Sequence, residues 1–375
     1  MTTSFVAAPA GPAESAGELL SLTGLRAILA WWVVSFHFVR DSLPEGLGKA
    51  IISGGYVAVD VFFVLSGYVL MRRYSRTVFT GANIGRFYVR RFARIYPLYA
   101  LSLIVGVAAA WKTAKGDLAT SEGQLRILAE VLLLNAWTHI AMFKYNFAAW
   151  SLSVEALFYV LCPWLLPALA RLSIRRACVL LALGWLATLI WPAIYTVLDP
   201  DRLNHPLALG DEVKGAWYIS FFPVQRLPEF MAGALAARLP WKPRRAAPLA
   251  ALGLVALMVS PMPFVFLRTG FPLPLIVLLV MGTAGWERGP LASKVCVALG
   301  HASFATYILH WPLLFAWARF DSAIWNSLAH VFIYMGFLLV ASLLAFRFVE
   351  EPIRLRITRW LTPAPVGVRP REVET

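Results

Sequence analysis

What most constrains this chain is a series of long apolar runs that few charges interrupt. The clearest are 20–39, 51–71, 95–111, 151–170, 177–198, 216–238, 246–264, 271–286, 297–318 and 325–348. A helix that crosses a bilayer needs about 20 apolar residues, since each advances it about 1.5 Å through a hydrocarbon layer roughly 30 Å thick. Hydrophobic residues make up 59% of the sequence and charged ones 14%, whereas soluble domains run near a half and a quarter. The pattern predicts an all-α fold: a polytopic integral membrane helical bundle of about ten transmembrane helices. Residues 1–18 and 357–375 read as loose tails on either side of it.

The formal net charge is +14. It does not point to nucleic acid, because the basic residues are confined to short segments between apolar runs, such as RRYSR, RFYVRRFAR, RLSIRR and RLRITR. Lysine and arginine accumulate in this way in cytoplasmic loops. Residues 72–94 hold seven arginines, at 72, 73, 76, 86, 90, 91 and 94. Placing that loop inside puts the N-terminus inside too. The remaining basic loops then fall inside only if 125–143 does not cross, so this segment is expected to be re-entrant or to lie on the outer side. With ten spans both termini are cytoplasmic, in an inner (plasma) membrane. The three cysteines, Cys162, Cys178 and Cys296, lie in or beside apolar runs without metal-ligand spacing. The six histidines are scattered, so no metal site is expected.

Ionisable groups inside a membrane are costly and usually face the bundle interior, which makes them candidates for function. Arg26 and His37 share the first run, eleven residues apart. That is about three helical turns, so both point the same way, roughly 16 Å apart along the axis. Asp60 sits among valines and phenylalanines and needs a partner, with His37 or an arginine as the obvious choices. Ser66, beside a glycine, reads as a close-packing position rather than a nucleophile. Arg90, Arg91 and Arg94 are spaced by three and four, which places them on one helical face suited to lipid headgroups or to a bound phosphate. Glu155 lies one turn into an apolar helix that begins near Trp150, Ser151 and Ser153, one residue too far from Ser151 for a capping box. Arg226 and Glu229 suit an intrahelical pair. His310, within a span, reads equally as a satisfied core group or a functional one.

Taken in order, these segments resemble the membrane acyltransferase 3 family. LTGLRAILAWWVVSFHF is similar to its opening, where a basic residue and a histidine are separated by ten residues; GGYVAVDVFFVLSGYVL, FYVRRFARIYPLY, WSLSVEALFY, YILHWPLL and FVEEPIR match its later motifs. The likeness runs from about residue 19 to 356. One departure is Ala156, where the Trp-Ser-Leu motif often carries a second glutamate. Some members also carry a C-terminal esterase-like domain, and this chain is expected to act alone or with a separate partner.

The resemblance implies an O-acyltransferase that moves an acyl group, acetyl in the simplest case, from acyl-CoA to a hydroxyl. The acceptor would be a glycan, a lipid-linked sugar or a small glycosylated molecule. No cofactor would be bound permanently; acyl-CoA is a co-substrate. His37 would be the base, oriented by Asp60 or Glu155. Arg26, Arg90, Arg91 and Arg94 would hold the donor phosphates. Trp150, Ser151, Ser153, Arg226 and His310 would line or support the acceptor side. Two other classes fit buried charges: a transporter, although no inverted repeat is visible, and a non-catalytic assembly protein of the envelope.

Overall fold

A computed structural model describes residues 19–138, 144–198, 220–240, 242–262, 264–325 and 327–361. The expected tail 1–18 and residues 362–375 lie outside the described residues, while the closing helix runs on through 357–361. The principal helices are α1 (Leu20–Phe38), α2 (Val57–Tyr74), α3 (Gly81–Ala109), α4 (Trp111–Leu118), α5 (Ser121–Val131), α6 (Trp150–Ala170) and α7 (Ile174–Thr188). They are followed by α8 (Leu227–Ala236), α9 (Ala246–Met258), α10 (Leu273–Ala284), α11 (Lys294–His301), α12 (Ser303–Trp317), α13 (Leu328–Ala345) and α14 (Glu351–Leu361). Among the described residues there is no strand.

Among the described residues six helical stretches are long and apolar enough to cross a membrane: Leu20–Phe38, Leu47–Tyr74, Gly81–Ala109, Phe147–Ala170, Ile174–Ile194 and Leu328–Arg359. These six do not by themselves establish the count of about ten. The apolar run 246–264 ends as a helix at Met258, just before SPMP, and 271–286 becomes a helix of 12 residues that starts beside two prolines. Run 297–318 divides at Ala302 into α11 and α12. In run 216–238 the described helix α8 spans 10 residues, with Pro228 in its first turn. Proline has no N–H to give and opens helices rather than continuing them. Segment 125–143 does not form one continuous helix: α5 stops at Val131, and Leu133 takes a positive φ of 57°.

Large apolar side chains face outward, among them Ile104, Trp164, Leu183, Leu252, Phe332 and Val340, while Asp60, Arg226, Glu229, Arg268, His310 and Glu350 are buried. That distribution is costly in water and suits lipid, where outward apolar surface carries no penalty and charged groups turn inward.

α2 and α8 cross at close range. A methyl group added at Gly67 would stand 1.9 Å from the Phe230 carbonyl oxygen, and one at Gly233 would stand 1.9 Å from that of Val64. Backbone lies on backbone here, as small residues allow in membrane helices. The crossing also aligns Asp60 of α2 with Glu229 of α8.

Candidate active site

α1 and α12 pack side by side and carry the site between them, with a basic end and a histidine end. The basic end gathers residues from four further elements. Arg26 is half-buried, and its charged or ionisable neighbours are Arg94, Glu350, Glu155 and Tyr159. No hydrogen bond or ion pair engages its guanidinium among the described residues. Arg94 pairs with Glu350, which is buried in the π-helical turn Phe346–Glu350 after α13, and lies 5.8 Å from the centre of the Phe304 ring. Arg91 sits among Tyr74, Phe87 and Tyr159, at 5.8, 5.8 and 5.7 Å from their ring centres, and its Nε has no partner. Arg90 makes no hydrogen bond or ion pair among the described residues. Glu155 accepts hydrogen bonds from Tyr159 and, at 3.4 Å, from Ser66.

The histidine end lies about three turns along α1. His37 is half-buried in an aromatic pocket formed by Phe36, Phe147 and Trp311, with ring centres 4.8, 5.7 and 5.2 Å away. The His310 ring stacks on it at 5.3 Å and 27°. The Nδ1 of His310 lies 2.5 Å from the Tyr307 carbonyl oxygen. A carbonyl can only accept, so Nδ1 carries the proton and Nε2 presents a lone pair. That Nε2 and the nearby Trp311 Nε1 are buried with no partner among the described residues. No hydrogen bond reaches the His37 ring among them either.

The expected carboxylate partner of His37 is not there. Asp60 is buried and accepts from Arg226 Nη1 at 3.2 Å, and the same nitrogen donates to Glu229 at 2.7 Å. Glu155 belongs to the basic end. Asp60 thus finds the arginine rather than the histidine, because the α2–α8 crossing brings two acids and one guanidinium together. Arg226 also donates to the Ser220 carbonyl, at 2.8 Å through Nε, and stacks over Trp150 at 6.0 Å. Ser151 donates to the Ala148 carbonyl at 3.0 Å, and Ser153 accepts from the Ala136 N–H at 3.4 Å. These two serines tie down the start of α6. Sequence reading passed over Glu350, which lies in the closing motif as the partner of Arg94, and Arg268, which carries no motif at all.

The described helices thus form a membrane-type bundle in which α1 carries an arginine-rich end and, about three turns away, a histidine end. The chain matches the family model described as an acyltransferase domain, acyltransferase 3, over residues 19–347, and it belongs to that family. It is 29% identical over 318 residues to acyltransferase MdmB of Streptomyces mycarofaciens, covering 79% of each chain. It is 24% identical over 371 residues to a protein of Staphylococcus aureus strain COL that is an O-acetyltransferase by name; the match covers 89% of this chain and 57% of that one, so the chain spans little more than half of that relative. A third relative, protein 2 in the picA locus of Rhizobium radiobacter, is 37% identical over 96 residues, which is 24% of this chain and 45% of the relative. No solved structure matches. The protein is an acyltransferase enzyme built as a multi-pass membrane bundle. Among the described residues no cluster of His, Cys, Asp or Glu is arranged to hold a metal ion.

Proposed function

We propose that the protein moves an acyl group, acetyl in the simplest case, from acyl-CoA to a hydroxyl of a carbohydrate or glycosylated acceptor. The observation that carries this reading is the pair of unpartnered polar atoms beside His37. His310 Nε2 can only accept and Trp311 Nε1 can only donate. Neighbouring hydroxyls of a carbohydrate can satisfy both atoms: one donates to His310 Nε2, and the other accepts from Trp311 Nε1 with its own proton turned to the His37 ring. His37 then takes the hydroxyl proton as the oxygen attacks the thioester carbonyl, and returns it to the departing thiolate. A neutral imidazole can accept a proton on one ring nitrogen and return it, as both transfers require.

Arg26 supports the donor end of the reading. Its guanidinium has no hydrogen-bond partner among the described residues, and guanidinium groups bind phosphate oxygens through paired N–H donors. Arg91 and Arg94 flank it, and Arg90 extends the basic surface. By the positive-inside rule this end faces the cytoplasm, both termini are cytoplasmic and the membrane is the plasma membrane. Segment 125–143 is then re-entrant or on the outer side; α5 within it ends at Val131.

The test is acetyl-CoA turnover by purified protein in nanodiscs, first with water as acceptor and then with a glycan panel. Removal of a general base is expected to lower kcat by about 10² to 10⁴-fold in His37→Ala. Arg26→Met should raise the KM for acetyl-CoA and leave kcat less affected. Full activity in a folded His37→Ala protein would refute the assignment. Substrate flux into proteoliposomes without acyl transfer would identify a transporter instead, and tolerance of both substitutions would fit an assembly protein.

A further inference from the structure

Arg268 follows the short helix Phe264–Leu267 and is 6% exposed. Three aromatic rings surround its guanidinium: Phe221 at 5.1 Å, Tyr56 at 5.2 Å and Trp150 at 5.9 Å from ring centre to Cζ. Ring faces steady a cation, but they leave donors that point along the guanidinium edge unsatisfied. The Nε and Nη1 of Arg268 are buried and have no hydrogen-bond acceptor among the described residues. Asp60, the carboxylate whose charge acts on it among the described residues, is engaged by Arg226. Arg226 also donates to the carbonyl oxygen of Arg268 at 3.2 Å, which fixes the backbone beneath the free guanidinium. Buried donors in this state mark a place where an acceptor atom belongs.

The cage shares a wall with the histidine pocket. Tyr56 meets Phe36 at 6.0 Å, and Phe36 meets the His37 ring at 4.8 Å. Arg268 is also one of the charged groups that act on His37. A buried, preorganised cationic donor linked to the base through two aromatic rings is suited to stabilise charge developing on a carbonyl oxygen between them.

We infer that Arg268 is a catalytic residue of the acyl transfer, donating its free N–H groups to the acyl carbonyl oxygen. This rests on the reading of His37 as the base. As the acceptor oxygen bonds to the carbonyl carbon, the carbonyl π electrons move onto oxygen and are held by the Arg268 donors. His37 takes the hydroxyl proton. When the carbonyl re-forms, the C–S bond breaks and the thiolate leaves with the proton from His37. Arg226, by contrast, has its donors occupied and is a positioning residue for this wall.

The experiment compares wild type, Arg268→Met, Arg268→Lys and His37→Ala in nanodiscs with acetyl-labelled acetyl-CoA. Release of labelled acetate is followed, because the exposed Cys178 would react with a thiol reagent. Loss of an oxyanion donor lowers kcat by about 10² to 10³-fold. Arg268→Met should show such a fall with a KM for acetyl-CoA within about threefold of wild type. Arg268→Lys keeps the charge and so guards against misfolding, yet should still lose at least about tenfold in kcat because one ammonium does not reproduce the guanidinium edge. The carbonyl stretch of bound [1-¹³C]acetyl-CoA should lie lower in wild type than in either variant. A folded Arg268→Lys or Arg268→Met protein with wild-type kcat and an unshifted carbonyl band would overturn the inference while His37→Ala remains inactive. An active His37→Ala, or a wild type that binds no acetyl-CoA, would overturn the proposed function and this inference with it.

Discussion

Gly67→Ala should damage this protein far more than one methyl group ordinarily does. The new Cβ would stand 1.9 Å from the Phe230 carbonyl oxygen and 2.9 Å from the Ala234 nitrogen. Both are backbone atoms of α8, so no side chain can swing aside. Ordinary contact needs about 3.4 Å between such atoms, and the helices must part by about 1.5 Å. The Arg226–Asp60 bond spans the same crossing at 3.2 Å. Stretched by that amount, it passes beyond hydrogen-bond range. Overpacking costs about 1 to 3 kcal/mol, and breaking a buried pair costs about 3 to 5 kcal/mol. These terms overlap, since one displacement causes both, and a loss of about 4 kcal/mol is the expected scale.

A double-mutant cycle separates this from a generic packing defect. Gly233→Ala strains the same crossing from the other side, with its Cβ 1.9 Å from the Val64 carbonyl oxygen. Once either alanine has parted the helices, the second meets less resistance. The double variant should therefore be more stable than the sum of the single losses implies, with a coupling of at least about 1 kcal/mol. The assay is thermal inactivation in nanodiscs, read as a rate because unfolding of such proteins is often irreversible. Gly67→Ala protein with wild-type inactivation, or strict additivity across the cycle, would refute the reasoning.

Three other outcomes follow from the same contacts. His310→Asn is expected to raise the acceptor KM by about tenfold, as one lost hydrogen bond of about 1.4 kcal/mol would, with the donor KM unchanged; steady-state kinetics with a fixed acceptor checks it. Arg94→Ala leaves Glu350 buried without its cation and should cost about 3 to 5 kcal/mol, whereas Arg94→Met combined with Glu350→Leu should recover much of that loss in thermal inactivation. Glu130 lies outside the membrane-spanning segments; burial pushes its pKa up to about 8, against hydrogen bonding that includes Tyr99 at 3.3 Å. Its folded form holds the proton above the unfolded pKa, so its contribution is full at low pH and is lost as pH rises through about 8. Stability of the wild type should fall across that window, and Glu130→Gln should flatten the slope.

The apolar runs made the helical class legible, and the spacing of Arg26 and His37 put both on one face of α1, where His37 meets His310 and Trp311 of α12. The number of crossings was less legible, because hydropathy does not weigh proline within short runs. Run 246–264 has ample apolar content, yet its helix stops at Met258 before SPMP. Residue type alone also leaves the partner of a buried charge open. Asp60 satisfies the rule that it must have a cation, but choosing between His37 and Arg226 requires the α2–α8 crossing, which two glycines 166 positions apart make possible.

Arg268 was the least visible residue for a related reason. Arg26, Arg91 and Arg94 announce themselves by spacing, and Arg226 by Glu229 three positions on. Arg268 has no charged neighbour in sequence: FVFLRTGFPLP surrounds it with apolar residues and a turn. Its setting is assembled from Tyr56, Trp150 and Phe221, three separate parts of the chain. Aromatic faces carry no sign that they hold a cation until the fold brings them together. Yet those rings explain how the charge can stay buried without a dedicated carboxylate. A carboxylate there would occupy the donors, whereas the π faces leave Nε and Nη1 open. The same reasoning applies at the opposite wall, where the backbone carbonyl of Tyr307 fixes His310 and leaves Nε2 open. In both places the protein steadies a polar side chain with groups that do not compete for its working atoms. That shared design is what makes a folded Arg268→Lys protein informative: it keeps the cation in its cage and changes only the donors that face the reacting carbonyl.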